Sequence, residues 1–305
     1  MKSKVLAYGA MIAVVLIWGV SFIHSKIALQ VVEPVMLATL RFTIATALIG
    51  AVMLIRKESF KIDIKDLPYF LVAGGVGISL YFYFENNGVL NTSASAASMI
   101  IASIPVFAML VEAVLYKTKL TKKSFISLAL SLTGVGMIVG LDSSLLEGNN
   151  LMGYLFMFGA VLAWIAYSIS SKPLFEKYSQ LKILFWQVVI GLALFLPFAF
   201  NTPLDLDRMT PEIWGHIVML GVVASAIGFF VYLYALDALG LGLSSLYLNL
   251  IPVVTVIVGF FVLGERLGAL QLVGGALIVV SVTIVSGDSQ EEIPAEQVAM
   301  SHVNN

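Results

Sequence analysis

The sequence predicts an all-α integral membrane protein with ten transmembrane helices, arranged as two inverted five-helix repeats with the N- and C-termini in the cytoplasm. The composition, the number of long apolar segments and an internal repeat predict this fold class. Of the 305 residues, 60% are hydrophobic and 11% are charged, and the mean hydropathy is +1.00. Soluble domains carry about 25% charged residues, so this chain lacks the polar surface that water requires. The lipid bilayer is therefore its expected solvent.

Ten segments reach the roughly 20 mostly apolar residues that span a membrane. Helix starts are marked where Asp66 or Thr210 stands just before a first-turn proline as a capping residue, and where Glu33 precedes Pro34. In chain order, segments 1 to 10 are expected near residues 5–25, 34–55, 67–87, 93–115, 122–140, 151–171, 181–200, 212–236, 242–263 and 268–286.

The distribution of positive charge predicts the orientation. With the N-terminus inside, thirteen of the 17 lysines and arginines fall on the cytoplasmic side, whereas the outer loops are acidic. Lysine and arginine accumulate in cytoplasmic loops, so both termini are expected there. Segment 1 follows two lysines, as in a signal peptide, but we interpret it as a retained helix because no cleavage site follows it closely.

The two halves of the chain repeat each other. Because each half holds an odd number of segments, the second half inserts upside down, which is typical of secondary transporters. The expected domains are a first repeat (1–141), an outer linker (142–150), a second repeat (151–287) and a disordered cytoplasmic tail (288–305). Shifts of 146 or 147 residues superimpose Trp18 on Trp164, Ser25-Lys26 on Ser171-Lys172, Phe82 on Phe229, and Ile104-Pro105-Val106 on Ile251-Pro252-Val253.

Two prolines occupy equivalent positions inside segments 4 and 9. Pro105 and Pro252 each remove a backbone donor and so free the carbonyls of Ile101 and Leu248. Neighbouring helices can satisfy such a carbonyl inside a membrane bundle. We therefore predict two kinks that face each other across a pseudo-two-fold axis and serve as hinges.

Three motifs resemble the drug/metabolite transporter superfamily, EamA type, over residues 5–287: "AVVLIWGVSF" at 13–22, "LATLRF" at 37–42, and a proline followed by "LGERL" and "QLVGGALIVVSV" at 252–282. The resemblance implies a multi-pass carrier of the inner membrane that mostly exports amino acids or related small metabolites. It also implies a central cavity walled by segments 1, 3, 4, 6, 8 and 9. One departure is that Lys117-Thr118 stand where Gly264-Glu265 stand in the second half.

Charged residues within the spans are the first candidates for a substrate site. Arg41 lies on a face with Ala38 and Ala45, whose small size lets another helix approach, and a charge inside a membrane is by default a functional hypothesis. A structural arginine paired with an acid is the alternative. Tyr81 and Glu85 form one stripe of segment 3, and could bind a cationic or zwitterionic ligand. Glu85 could instead be a solvated loop acid.

Aromatic and polar residues complete the candidate site. Trp18 and Trp164 lie well inside their spans, and the serines one turn beyond them extend a possible cavity wall; plain helix packing is the alternative. Asn249 needs a hydrogen-bond partner in its apolar setting, either a backbone group or a ligand. The predicted substrate-binding residues are Trp18, Ser21, Arg41, Tyr81, Glu85, Trp164, Ser168, Tyr232 and Asn249.

Two further features have structural and functional interpretations. His24 lies one turn beyond Ser21 at the outer end of segment 1, and is either a hydrogen-bonded structural residue or proton-linked. Gly136 and Gly140 in segment 5 predict close packing against another helix.

The leading hypothesis is a secondary carrier that exports small amphipathic metabolites, such as amino acids, by alternating access. Efflux of lipophilic or quaternary cations, and uptake rather than export, are the alternatives. The expected partners are a small-molecule substrate and the bilayer, with homodimerisation left open. A net charge of −1 and the lack of cysteine argue against nucleic-acid binding and thiol chemistry. No cofactor, metal or enzymatic activity is expected.

Overall fold

The computed structural model describes residues 4–117, 120–139 and 149–291, and these ranges are helical apart from short turns and loops. Two stretches within the bundle, Gly75–Leu80 and Met219–Ile227, are π-helical and continue directly into α-helix on both sides. The α-helices are α1 Lys4–Ala28, α2 Pro34–Ile55, α3 Leu67–Gly74, α4 Tyr81–Asn91, α5 Ala94–Ile101, α6 Ile104–Tyr116, α7 Lys122–Val139, α8 Asn149–Phe175, α9 Gln180–Ala199, α10 Pro211–Val218, α11 Gly228–Leu248, α12 Ile251–Val262 and α13 Ala269–Glu291.

Seven helical stretches of the described chain are long and apolar enough to cross a membrane, and two shorter apolar helices, Ile251–Val262 and Ala269–Ile284, follow them. The predicted all-α membrane architecture is confirmed at this level. The predicted break between segments 8 and 9 is not seen, because α11 continues from Gly228 to Leu248. The sequence has no proline between residues 212 and 251, so nothing there removes a backbone donor from the helix.

Two of the predicted helix starts differ in how they are capped. The Thr210 hydroxyl accepts a hydrogen bond from the Ile213 N–H at 3.4 Å, as expected. The prediction that Asp66 caps α3 is wrong, since its carboxylate makes no such bond. Asp66 has helical angles (φ −92°, ψ −8°), because it is the last residue of the 3₁₀ turn Ile64–Asp66, whereas a capping residue is normally extended.

The carboxylate of Asp66 instead joins two loops on the predicted cytoplasmic side. It accepts hydrogen bonds from the Lys177 ammonium at 2.6 Å and from the Tyr178 hydroxyl at 2.7 Å. The bond to Asp66 raises the pKa of Lys177. This contact is therefore complete at neutral pH. It is lost as the pH rises through the raised pKa of Lys177, and also in acid when the Asp66 carboxylate is protonated.

The two π-helical stretches lie at positions that the internal repeat relates, because residues 75–80 fall on residues 222–227 at a shift of 147. Gly74, just before the first stretch, and Gly221, inside the second, each pack against a helix of the other half. A Cβ at Gly74 would lie 2.8 Å from the Gln187 carbonyl oxygen, and one at Gly221 would lie 2.9 Å from the Arg41 carbonyl oxygen. The repeat pairs both the glycines and their contacts, so the same close approach occurs twice.

The predicted proline kinks are breaks between separate helices. α5 ends at Ile101 and α11 at Leu248, whose carbonyls the two prolines were predicted to free. Pro105 and Pro252 occupy the first turn of α6 and α12, where a missing N–H leaves no helical bond unmade. The chain therefore restarts its helix at the proline rather than bending through it.

Close helix packing in segment 5 occurs at a different glycine from the one expected. A Cβ at Gly134 would lie 2.5 Å from the Gly274 carbonyl oxygen, so α7 and α13 touch backbone to backbone there. A Cβ at Gly136 would meet nothing within 4 Å, so the prediction for Gly136 is wrong. Gly136 lies 200° further around the helix at 100° per residue, and therefore on another face. Gly140 lies outside the described residues.

The helices that carry the candidate site residues pack against one another at the centre of the bundle. α1 packs on α11 and α12, α4 packs on α8, and α2 packs on α9 and on the second π-helical stretch. Each of these contacts joins a helix of the first half to one of the second half. The interior of the interface between the halves is therefore where the candidate side chains meet.

Candidate functional site

Two opposite charges are buried together in this interface. Arg41 on α2 is 3% exposed and Glu85 on α4 is 7% exposed. The distance from Arg41 Nη1 to Glu85 Oε1 is 4.0 Å, and Arg41 Nε donates a hydrogen bond to Ser225 Oγ at 2.6 Å. A buried charge is stable only when it is compensated. Glu85 is therefore a partner of Arg41 and not a solvated loop acid.

Aromatic groups surround this charged pair. The Arg41 guanidinium carbon lies 4.4 Å from the centroid of the Phe82 ring and 5.5 Å from that of Phe42, within the range of cation–π attraction. Tyr81 stands one helical turn before Glu85 on α4. Tyr81 therefore links the charged pair to the other aromatic residues of the interface.

Five aromatic residues form what we call the central aromatic cluster. The rings of Trp18 and Trp164, equivalent in the repeat, meet edge to face with centroids 6.5 Å apart. Tyr81 lies 5.2 Å from Trp164. Phe229 and Tyr232 lie 5.1 and 5.2 Å from Trp18. The cluster is Trp18, Tyr81, Trp164, Phe229 and Tyr232.

The second π-helical stretch connects the cluster with the charged pair. Trp18 Nε1 donates to the Ala224 carbonyl oxygen at 3.1 Å, while the next residue, Ser225, binds Arg41. A π-helical turn leaves some backbone carbonyls out of the regular bonding pattern and is frequent at functional sites. The backbone of this stretch thus positions both an aromatic ring and a charge.

The hydroxyls of the two predicted serines, Ser21 and Ser168, donate hydrogen bonds within their own helices. Ser21 Oγ donates to the Trp18 carbonyl at 2.7 Å, and Ser168 Oγ donates to the Trp164 carbonyl at 2.8 Å. Both hydroxyls therefore satisfy their hydrogen bonds locally, in the same way in each half. They lie next to the tryptophans but add no free polar group to the site.

Asn249 lies at the break between α11 and α12, and is 3% exposed. Among the residues that the structure describes, its amide nitrogen has no hydrogen-bond partner. A buried unpaired amide costs free energy. This nitrogen is consequently a donor that a ligand could use.

A polar network next to the cluster was not foreseen from the sequence. The Tyr167 hydroxyl donates to Gln187 Oε1 at 3.3 Å, and Gln187 Nε2 donates to Ser171 Oγ at 3.2 Å. The Tyr167 ring lies 5.2 Å from Trp164. The sequence held one indication of this network. Gln187 is the repeat counterpart of Arg41, so both halves place a side chain with N–H donors at equivalent positions.

No group of three or more His, Cys, Asp or Glu side chains that could hold a metal ion occurs within residues 4–117, 120–139 and 149–291.

Comparison with known proteins gives consistent similarities. The EamA-like transporter family matches residues 5–140 and 151–287. An "uncharacterized transporter" of Archaeoglobus fulgidus is 27% identical over 88% of this chain and 94% of its own. A "probable terminal-alkyne amino-acid exporter" of Streptantibioticus cattleyicolor is 27% identical over 92% and 93%. A crystal structure superposes with a TM-score of 0.68 over 96% of this chain and 100% of that one, at 19% identity, and shows the fold alone.

Proposed function

Because the chain belongs to the EamA-like transporter family, we propose that it is a secondary carrier of the inner membrane that exports small amphipathic metabolites by alternating access. Amino acids or closely related zwitterions are the proposed substrates. The observation that carries this proposal is the buried Arg41–Glu85 pair beside the central aromatic cluster. The relative named as an amino-acid exporter supports the same class.

The geometry of the charged pair suits a zwitterion. Its 4.0 Å separation is longer than the roughly 2.7–3.2 Å of a direct hydrogen bond, so neither group fully satisfies the other. A ligand carboxylate would bind the guanidinium of Arg41, and a ligand ammonium would bind Glu85. The rings of the cluster would cover an apolar side chain.

Efflux of lipophilic or quaternary cations is the second candidate, favoured by the aromatic rings and the carboxylate of Glu85. A cation bound at Glu85 would also lie close to the buried charge of Arg41. Like charges repel strongly where the dielectric constant is low, whereas a zwitterion carries a group for each charge. The pair therefore favours the zwitterion.

Alternating access is supported by the relation between the halves. The proposed repeats, 1–141 and 151–287, have π-helical stretches, helix breaks and close glycine contacts at equivalent positions. Lys117 and Gly264, also equivalent, share a left-handed conformation with φ of 54° and 67°. Trp18 and Trp164 touch each other, as residues beside a pseudo-two-fold axis would. We infer that an inverted pair of five-helix repeats rocks about this axis.

The experiment is efflux from proteoliposomes loaded with radiolabelled amino acids. Saturable efflux is expected for the wild type. Arg41→Gln, which installs the residue of the other half, and Glu85→Gln should each lower the apparent kcat/KM about 10- to 100-fold, since bonds to charged groups contribute about 1.5–3 kcal/mol.

The matched controls are Arg56→Gln and Glu176→Gln, which change exposed residues and should leave efflux unchanged. Efflux that rises linearly with concentration, or that is equal in all four variants, would contradict the proposal. If the wild type exports a quaternary ammonium probe but no amino acids, and Glu85→Gln loses that export, the result would favour the second candidate.

A further inference from the structure

Two histidines from different halves of the chain meet near the predicted outer end of the bundle. His24 lies near the end of α1 and His216 lies on α10. Their Nδ1 atoms are 2.5 Å apart, and their ring centroids are 4.7 Å apart. Both side chains are partly buried, so protein rather than bulk water surrounds much of the contact.

Whether the two Nδ1 atoms form a hydrogen bond depends on how many protons the two rings carry. An imidazole nitrogen donates only when it carries a hydrogen and accepts only when it does not. One ring must therefore hold the proton on Nδ1 while the other offers a lone pair. When both rings are imidazolium, both Nδ1 atoms are donors, the hydrogen bond is lost and two positive charges repel.

We propose that His24 and His216 form a proton-binding site that joins the outer ends of α1 and α10 while a single proton lies between the two Nδ1 atoms, and that releases them when both rings are imidazolium. The role in a transport cycle rests on the proposed carrier function. The pair lies near the predicted outer end of the bundle, and an imidazole takes up a proton on acidification, so the acidity of the external medium can control this contact.

A site for the first added proton is visible at the other nitrogen of His216. Its Nε2 is buried and has no hydrogen-bond partner among the described residues. It lies 3.9 Å from Glu212 Oε1, on a side chain that is 81% exposed. When His216 donates from Nδ1, the Nε2 lone pair can take a proton, and Glu212 stabilises the resulting charge from the water-facing side. The contact between the Nδ1 atoms survives this step, and a second added proton, on His24 Nδ1, makes both rings imidazolium and breaks it.

The other charged groups on neighbouring elements are bound elsewhere or exposed. The Lys26 ammonium donates to the backbone carbonyls of Val89, Leu90 and Thr92. Glu265 accepts bonds from the start of α5. Arg208 donates to the Gln30 carbonyl oxygen. Glu33, at the start of α2, is exposed, so Glu212 is the carboxylate that the structure places beside the pair.

The pair is connected to the candidate substrate site through the same two helices. Trp18 lies on α1 with His24, and its Nε1 bonds to Ala224 in the π-helical stretch that continues α10. A Cβ at Gly228 would lie 2.8 Å from that Nε1, so the two helices are in close contact at this depth. Separation of the outer ends would therefore loosen the wall of the central aromatic cluster.

The internal repeat does not place a second histidine pair on the predicted cytoplasmic side. The positions equivalent to His24 and His216 are Ser170 and Tyr69, on the predicted cytoplasmic side. Ser170 donates to the Tyr167 carbonyl within its own helix, and Tyr69 is exposed. Neither side chain is an imidazole, so protonation of the histidines would favour opening only towards the outside.

The first test is the titration of the histidine side chains by NMR in the ¹⁵N-histidine-labelled full chain in detergent. The chain has three histidines, so few signals need to be assigned. We expect His24 and His216 to titrate in two coupled steps, and the coupling to be lost in His24→Gln. Independent one-step titrations of both in the wild type would overturn the proposal.

The second test measures the distance between the outer helix ends. The chain has no cysteine, so spin labels can be placed cleanly at Gln30→Cys, which is exposed, and Gly215→Cys, where a Cβ would meet nothing within 4 Å. The distance should lengthen between pH 8 and pH 4, and the change should be lost in His24→Gln/His216→Gln. A distance that does not respond to pH, or a response that persists in this variant, would overturn the proposal.

Neither test requires transport. A pH-dependent distance in a protein that fails to move amino acids would refute the proposed substrate and retain the proton site. Saturable amino-acid efflux with no coupled titration would do the opposite.

Discussion

The carboxylate of Glu265 binds the start of a helix in the other half of the chain. Its Oε1 accepts a hydrogen bond from the Ala94 N–H at 2.7 Å, and its Oε2 accepts bonds from the Ser95 N–H at 3.0 Å and the Ser95 hydroxyl at 2.5 Å. Gly264 precedes it with φ of 67°, a conformation that glycine adopts without strain. This turn places the acid over α5, where it neutralises unpaired donors and the positive end of the helix dipole.

We predict that Glu265→Ala destabilises the protein by about 1–2 kcal/mol, the usual cost of losing a side-chain cap. Thermal unfolding in detergent should show a lower Tm for Glu265→Ala than for Arg266→Ala, which changes its exposed neighbour and serves as the control. Equal Tm values for the two variants would show that the cap contributes nothing.

At the residue scale, the sequence predicted where the charges of the site lie but not what they touch. Arg41 and Glu85 stand out because a charge inside lipid is costly and needs a reason. Their contact with each other, and that of Arg41 with Ser225, depend on the rotation of three helices. Hydrophobic periodicity does not specify that rotation to within a hydrogen-bond length, so the pairing could not be predicted.

At the scale of the helices, Gly74 and Gly221 set the distance between the two halves of the chain. A Cβ at Gly74 or Gly221 would lie within 3 Å of a backbone carbonyl oxygen of the facing helix, and a backbone cannot move aside as a flexible side chain does. Glycine is therefore required at both positions for the helices to approach this closely.

We predict that Gly74→Ala and Gly221→Ala each destabilise the protein by about 1–3 kcal/mol, the usual cost of overpacking. Gly9→Ala is the control, because a Cβ there would meet nothing within 4 Å, and it should be neutral or stabilising by up to about 1 kcal/mol. Thermal unfolding in detergent measures all three. A Gly221→Ala variant as stable as Gly9→Ala would mean that the halves can separate without cost.

The predictability of the helices follows from the strength of their local signals. Starts at Pro34 and Pro211 were predictable, because proline constrains its own φ and removes a donor. At Pro105 and Pro252 the same reasoning predicted kinks, whereas the chain ends one helix and starts another. The π-helical stretches were not predictable, since they contain ordinary apolar and small residues and no proline. They follow from the packing of neighbouring helices, which a single segment does not reveal.

At the scale of the whole molecule, contacts join the two halves of the chain near both ends of the bundle. On the predicted cytoplasmic side, Lys177 binds Asp66 and Trp186 Nε1 donates to the Phe60 carbonyl at 2.9 Å. Near the outer side, His24 meets His216. A carrier that exposes its site to one side at a time must break such contacts in turn, and the proposed proton site would weaken only the outer set.

The overall architecture was the most predictable feature, because composition and hydropathy alone indicate a bundle of helices in lipid. The family match over both halves agrees with the repeat seen in the sequence. The contacts that join the two halves near the ends of the bundle were not predictable. They are made by a few side chains that follow no periodic pattern in the sequence.

Counterflow in proteoliposomes is the measurement that tests the central claim most directly. Vesicles preloaded with unlabelled amino acids are diluted into a trace of the same amino acids in radiolabelled form. A carrier that alternates between two sides exchanges one substrate for another, so the label should accumulate transiently above equilibrium in the wild type, and this accumulation should be lost in Glu85→Gln. Label that rises only to equilibrium and never exceeds it would contradict alternating access, and with it the proposed carrier.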